Sequence, residues 1–315
     1  MTETPPPAAP RYRNPVVAGI GYTVLAVAVF SCLNVIVKQL GEHYPPNQIA
    51  FFRNAVGMIP VLIMVRAAGG LASVRTGVAW MHALRGYIGV ASMSLMFLSY
   101  HLLPLADAVA ISFAGPLLIT AMSVPLLGEK VGVHRWSAVL IGFGGVLIMV
   151  QPQGGGLGGG IAGNLGSLTA LSAVVLFAIG TILMRMMSRQ DTSLTIVFWF
   201  HVHASLLSGA SLLVAWQTPS LPDLGLLMVL GLVGGVGQYW FVQGFRLAPV
   251  AVASPFGYSA ILFSTVLGYV FFDEVPTPAV MAGAVVVIAS GLYILYRETR
   301  RRSPVVADAG PSSGG

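Results

Sequence analysis

Residues 102–129 read LLPLADAVAISFAGPLLITAMSVPLLGE, and residues 247–274 read LAPVAVASPFGYSAILFSTVLGYVFFDE. The two stretches align without a gap at an offset of 145 positions. Each runs from a proline-bearing turn, through an apolar stretch of membrane-crossing length, to an acidic exit. A repeat of this kind predicts a fold built from two related halves. The identical pairs are Leu102 and Leu247, Pro104 and Pro249, Ala106 and Ala251, Ala108 and Ala253, Leu117 and Leu262, Thr120 and Thr265, and Glu129 and Glu274.

The composition places the chain in a lipid bilayer. Of its 315 residues, 56% are hydrophobic and only 8% are charged, against about 25% charged in average soluble domains. The net charge of +6 does not indicate a nucleic-acid partner, because the charges lie between apolar segments and form no contiguous face. Cys32 is the only cysteine, which excludes an internal disulfide or a thiolate metal cluster.

Ten segments are long and apolar enough to cross a hydrocarbon core of ~30 Å as helices. Helices are predicted because an open strand would leave backbone groups unpaired in lipid. Lysine and arginine concentrate in alternate connections and in the tails, which predicts an inner-membrane protein with cytoplasmic N- and C-termini. The predicted spans are 16–38, 47–65, 78–100, 105–127, 132–150, 164–187, 193–216, 223–246, 250–272 and 277–296.

The repeat also extends upstream of residue 102, at an offset of 147. Spans one to five therefore correspond to spans six to ten. Because five is odd, the second half must enter the membrane from the opposite side, as in the inverted repeats of alternating-access carriers. The matching pairs include Phe30 and Phe177, Lys38 and Arg185, Ile49 and Ile196, and Phe51 and Phe198. The predicted organisation is an N-terminal tail (1–15), a first repeat (16–150), a glycine-rich linker (151–163), a second repeat (164–296) and a basic C-terminal tail (297–315).

These features resemble the EamA-type drug/metabolite transporters. The resemblance rests on two five-helix halves and on a helix that ends in LGEK at 127–130, with FDEV as its degenerate counterpart at 272–275. Within that family the chain is most similar to the YddG-type exporters of aromatic and other neutral amino acids. The resemblance implies a basket of helices around a central cavity. Spans three, four, eight and nine would line the cavity and spans five and ten would lie outside, in a monomer or a homodimer.

The candidate substrate-binding residues combine aromatic rings with hydroxyl and amide groups. Such a set suits a neutral or zwitterionic substrate with an apolar side chain, although ordinary packing and interfacial aromatic belts are the alternative for many positions. His201 and His203 point to different sides of one helix, and each is weighed as a structural or a proton-coupling residue. The predicted substrate-binding residues are Tyr87, Ser94, Trp199, His203, Tyr239, Gln243 and Tyr258.

Three charged residues near span ends are predicted to gate the outer mouth: Lys38, Arg53 and Asp107. Ionisable residues inside spans are functional by default. Arg53 is interpreted either as a functional residue, which meets a substrate carboxylate or guards the outer mouth, or as a structural one, which snorkels outward or pairs with Asp107. Arg85 either lines a pathway or anchors the inner end of span three.

Pro104 and Pro249 occupy matching turns and are either hinges or fixed kinks. The glycine-rich stretch at 154–160 lacks the following lysine and hydroxyl of a phosphate loop. No HExxH motif or nucleophile elbow is present. Accordingly, no metal, no cofactor and no catalytic residue are predicted.

The predicted function is a secondary transporter that exports amino acids, aromatic or other neutral, or related small metabolites by alternating access. One alternative is an efflux carrier for cationic aromatic drugs such as methylviologen, which an embedded carboxylate would favour. A weaker alternative is an intramembrane enzyme, which would need a cluster of His201, His203 and Asp107.

Overall fold

The computed structural model describes residues 15–127, 133–149, 165–248, 256–257 and 259–301. Within these ranges the chain forms eleven α-helices, short 3-10 stretches at Leu71–Val74 and at 256–257, and no strand, which confirms the predicted all-α class. The helices are α1 (Pro15–Gly41), α2 (Pro46–Ala67), α3 (Ala79–Leu102), α4 (Leu105–Ser112), α5 (Ala114–Leu127), α6 (Val133–Met149), α7 (Leu165–Met187), α8 (Ser193–Ser211), α9 (Leu221–Leu247), α10 (Ser259–Phe272) and α11 (Pro278–Arg301).

Five of the described helices are long and apolar enough to cross a membrane: α1, α2, α7, α8 and α9. Their outward faces carry large apolar side chains, such as Ile63 on α2 and Leu206 on α8, which are exposed in the isolated chain. Water would penalise so much exposed apolar surface, whereas hydrocarbon accepts it. The chain is therefore a multi-pass helical membrane protein.

The fourth predicted span is two helices instead of one. α4 ends at Ser112, Phe113 lies in a turn, and α5 begins at Ala114. Residue 116 is a proline, so it has no N–H for the carbonyl of Ser112 four positions earlier. The hydroxyl of the same Ser112 donates to the Val109 carbonyl. The break therefore lies where the proline removes one bond from the helix hydrogen-bond ladder.

The seventh span also differs from its prediction, since α8 ends at Ser211 and not at 216. The chain after it is held by the first turn of α2. The Gln48 Nε2 donates to the Gln217 carbonyl at 2.6 Å, and the Gln217 N–H donates to Gln48 Oε1 at 2.9 Å. A buried amide side chain therefore satisfies backbone groups that a longer helix would have paired internally.

Contacts between connections define two opposite ends of the bundle. At the Lys38 end, Lys38 contacts Glu274, and Gly166 near the start of α7 lies against Leu103. At the Asp191 end, the α7–α8 connection meets the start of α3 through His82. α1 runs from the Asp191 end to the Lys38 end, and α7 runs in the reverse direction.

Helices from the first and second halves of the chain interleave. α1 and α2 pack on α9, α2 and α3 on α8, α3 on α7, and α6 on α11. The contact between α2 and α9 is close because glycine stands at 235: a Cβ there would lie 2.9 Å from Pro60 Cγ. The two halves are therefore one packed unit around a shared interior.

Candidate functional site

A cavity of about 350 Å³ lies inside the bundle, between the two halves of the chain. Its wall is mostly aromatic and aliphatic, and among the described residues it includes no aspartate or glutamate. The aromatic lining residues are Phe30, Phe97, Tyr100, Phe113, Phe177, Phe200, Phe241 and Phe245. The polar lining residues are Thr23, Ser31, Asn34, Arg53, Arg85, Ser92, Ser112, Thr181 and Gln238.

The helices that supply this wall only partly match the expectation from the resemblance. α3, the α4–α5 pair, α9 and α10 all contribute, as expected of spans three, four, eight and nine. α1 and α7 contribute equally extensive surfaces, which the resemblance did not imply. α6 and α11 pack on each other and supply no described lining residue.

Arg53 projects from α2 into the cavity. Its guanidinium lies 5.4 Å from the centroid of the Phe30 ring, and its Nη1 is 3.6 Å from the Met93 sulfur. Both neighbours are soft and polarizable, and neither carries a negative charge. The charge of Arg53 is therefore stabilised but not neutralised by its surroundings.

Arg85 projects from α3, and only 6% of the residue is exposed. Its guanidinium stacks over the Phe200 ring at 4.5 Å, and Nη2 lies 4.0 Å from the Met184 sulfur. Its Nη1 is buried and has no hydrogen-bond partner in the part of the chain that the structure describes. Burying an unpaired charge is costly unless a partner compensates it. Nη1 is therefore an unused hydrogen-bond donor.

The uncharged polar groups of the wall fall into two sets. Several hydroxyls donate to helix carbonyls, among them Ser92 to Ala173 at 2.8 Å and Thr181 to Phe177 at 2.9 Å. Such bonds occupy the donor and leave the cavity less polar than its composition suggests. The side-chain amides of Asn34 and Gln238 make no hydrogen bond within the described ranges, and both line the cavity. They are available to a ligand.

The Lys38 end carries a network that joins the two halves. The Lys38 ammonium donates to Glu274 Oε1 at 2.7 Å and to the Leu103 carbonyl at 2.9 Å. The second oxygen of Glu274 accepts from the Leu105 N–H at 2.8 Å, which caps the start of α4. Asp107, two residues after Leu105, is buried, and its Oδ1 has no partner among the described residues.

The Asp191 end carries a second network. His82 Nε2 lies 2.7 Å from Asp191 Oδ2, and the Thr76 hydroxyl donates to the same oxygen at 2.8 Å. The side chains of His82 and Asp191 are 1% and 6% exposed. This pair was not anticipated from the sequence, because its members are 109 positions apart and neither matches a motif.

Six of the seven predicted substrate-binding residues are described, and none of these six lines the cavity. Tyr87 is 55% exposed, and Ser94 is half-buried on another face of α3. Trp199 donates its indole N–H to the Val74 carbonyl at 2.9 Å, and the ring of His203 packs against it. Their role in substrate binding stays a prediction.

The remaining predicted residues lie within other helices, at helix ends or outside the described ranges. Gln243 accepts from the Ser193 hydroxyl at 2.6 Å, and Tyr239 packs among apolar side chains of α2 and α8. Pro104 lies just before α4, and its carbonyl accepts from the Asp107 N–H at 3.0 Å. Tyr258 and Pro249 lie outside the described residues. Of the predicted mouth residues, Arg53 lines the cavity, whereas Lys38 and Asp107 lie at its Lys38 end.

The fold and the cavity define a class: a helical membrane protein with an amphipathic chamber that both halves of the chain build. The model of the EamA-like transporter family matches residues 17–151 and 164–296. The chain belongs to the EamA-like transporter family and is a membrane transporter.

Curated relatives share its length as well as its family. An S-adenosylmethionine uptake transporter of Rickettsia bellii is 25% identical, with 90% of this chain and 96% of that protein covered. A riboflavin transporter of Rhizobium johnstonii is 26% identical over 90% and 95%. The pseudopaline exporter CntI of Pseudomonas aeruginosa is 27% identical over 87% and 94%.

A solved crystal structure shares the fold. It superposes with a TM-score of 0.69 at 20% identity and covers 91% of this chain and 99% of the other. At that identity the likeness concerns the fold alone.

Proposed function

We propose that the chain is a secondary carrier that moves amino acids, aromatic or other neutral, or related small metabolites out of the cell across the inner membrane. The observation that carries this proposal is the cavity itself, an aromatic-lined chamber with a few unsatisfied polar groups between the two halves. Small-molecule sites have this composition: apolar walls bind the body of the ligand and a few polar groups fix its orientation.

The proposed mechanism is alternating access between two five-span repeats of opposite orientation, with both termini in the cytoplasm. The reversed directions of α1 and α7 support this architecture, since corresponding helices of an inverted repeat must begin at opposite ends. The Lys38–Glu274 and His82–Asp191 networks each join the two halves at one end of the bundle. In this mechanism they break and form in alternation as the cavity changes sides.

The relatives support a small organic substrate and leave its identity open to test. Their names span S-adenosylmethionine, riboflavin and pseudopaline, and include both uptake and export. All three relatives are named for small metabolites. A cationic drug is the least favoured of these substrate classes, because the described wall offers two arginines and no carboxylate.

The test is substrate flux in proteoliposomes that contain the purified protein. Labelled phenylalanine, threonine, riboflavin, S-adenosylmethionine and methylviologen are measured in parallel, with and without a pH gradient. The matched variants are Val27→Trp, which fills the cavity from α1, and Leu25→Trp, which points away from it. We expect amino-acid flux that Val27→Trp abolishes and Leu25→Trp preserves.

Two results would contradict the proposal. Movement of methylviologen alone would assign the chain to drug efflux. Amino-acid flux that Val27→Trp and Leu25→Trp reduce to the same degree would remove the cavity from the pathway.

A further inference from the structure

Two permanently charged side chains, Arg53 and Arg85, line the cavity without an acidic partner among the described residues. The ion pairs in the described part of the chain are Lys38–Glu274 and His82–Asp191, and neither includes Arg53 or Arg85. A guanidinium does not lose its proton in a protein, so neither residue can escape the penalty of burial by becoming neutral. Two cations without a counter-charge in an apolar chamber would be stabilised by a negative charge, which a bound ligand can supply.

The neighbours of the two arginines hold them in place without supplying that charge. Phe30 and Phe200 present ring faces to the guanidiniums, and Met93 and Met184 present thioether sulfurs. Cation–π and sulfur contacts fix the orientation of a guanidinium and leave its outward N–H groups free. Arg85 lines the cavity, and its buried Nη1 has no hydrogen-bond partner among the described residues.

The two arginines lie at different depths. Arg53 contacts Met93, which follows Arg85 by eight residues on α3, about 12 Å along a helix axis. Arg53 is therefore nearer the Lys38 end and Arg85 nearer the Asp191 end. One small acidic group would meet them one after the other as it crosses the chamber.

Resting on the carrier function proposed above, we propose that Arg53 and Arg85 make the cavity selective for organic anions that carry an acidic group on an aromatic or aliphatic body. The body packs among the phenylalanines, and the acidic group receives charge-assisted hydrogen bonds from a guanidinium. An ammonium group finds no carboxylate in the described wall. Amino acids are then accepted through their carboxylate and penalised for their amine, and amine-free acids are preferred.

A set of four probes with the same phenyl ring separates these contributions. The probes are 3-phenylpropionate (anion), phenylalanine (zwitterion), 3-phenylpropanamide (neutral) and phenethylamine (cation). Their affinities are measured by calorimetry on the detergent-purified full chain, because the protonated form of 3-phenylpropionate crosses lipid unaided and would confuse a flux assay. We expect the anion to bind roughly tenfold or more tightly than the amide, as for a hydrogen bond to a charged group.

Variants assign the preference to the two arginines. Arg85→Gln and Arg53→Gln should each weaken binding of 3-phenylpropionate and leave that of the amide unchanged. The double variant should bind the two probes equally. Arg85→Lys keeps the charge but loses the planar fork, and should restore part of the preference. Arg66→Gln is the matched control, since Arg66 is exposed on the same helix as Arg53, and it should change nothing.

Several outcomes would overturn the inference while the carrier function stands. These are equal binding of anion and amide, tighter binding of phenethylamine, or an anion preference that survives the double variant. If none of the four probes binds, the inference also fails. The carrier function is judged separately, by the flux of the broader substrate set and its loss in Val27→Trp.

Discussion

Lys38 Nζ lies 2.7 Å from Glu274 Oε1, and the pair joins α1 to the connection between α10 and α11. Glu274 also accepts the backbone N–H of Leu105, so one carboxylate holds together three segments of the chain. These segments belong to both halves. The pair therefore joins the two halves of the chain at the Lys38 end of the cavity.

Glu274→Gln should destabilise the protein, since it leaves the partly buried Lys38 ammonium without its counter-charge. We expect a loss of about 1–3 kcal/mol in the free energy of unfolding, as for a hydrogen bond to a charged group. Thermal unfolding in detergent measures it. Glu42→Gln, an exposed substitution at the same end, is the control. The charge swap Lys38→Glu with Glu274→Lys should recover part of the loss, and no recovery would mean that the pair interaction is unimportant.

Asp191→Asn should also lower the free energy of unfolding, because it weakens the network at the Asp191 end. The change removes the charge that His82 Nε2 and the Thr76 hydroxyl share. A double-mutant cycle with His82→Gln should give a coupling energy of about 1–2 kcal/mol, because both partners are buried and in contact. Additive effects of the two substitutions would show that the contact contributes little.

Trp199→Phe distinguishes a structural from a substrate-binding tryptophan. The indole N–H donates to the Val74 carbonyl, and the ring lies outside the cavity wall. We expect a loss of about 1 kcal/mol in stability with an unchanged substrate affinity. A clear fall in affinity without a change in stability would restore Trp199 to the site that the sequence predicted.

Gly235→Ala should be strongly destabilising, since its Cβ would lie 2.9 Å from the Pro60 ring. Overpacking of this kind costs about 1–3 kcal/mol. Gly225→Ala on the same helix is the control, because no atom lies within 4 Å of its Cβ. That control should be neutral or stabilising by up to about 1 kcal/mol through helix propensity. Equal melting temperatures for the two variants would refute the close contact between α2 and α9.

Much of the helix layout was predictable because the length of an apolar run is a local property of the chain. α1, α2 and α9 begin and end within a few residues of the predicted spans. The break between α4 and α5 was not predicted, although the proline at 116 removes one bond from the helix ladder beside it. The early end of α8 was not predicted either, because it depends on Gln48, which is more than 160 positions away from Gln217.

The wall of the cavity was far less predictable. Tyr87 and Gly89 are two residues apart on α3, yet Tyr87 is exposed and Gly89 lines the cavity. Which face of a helix points inward depends on its neighbours, and α3 packs on helices from both halves. Arg85 is the exception that the sequence did single out, as a charged residue inside an apolar span.

The interleaving of helices from the two halves bears on how the protein is made. α1 and α2 pack on α9, and α3 packs on α7 and α8, so most partners lie more than 80 residues downstream. Spans made first have to wait in the bilayer until the later spans are inserted, since few of their final contacts are local. Assembly is therefore a late, concerted docking step, and a truncation in the second half should leave the first half without its packing partners.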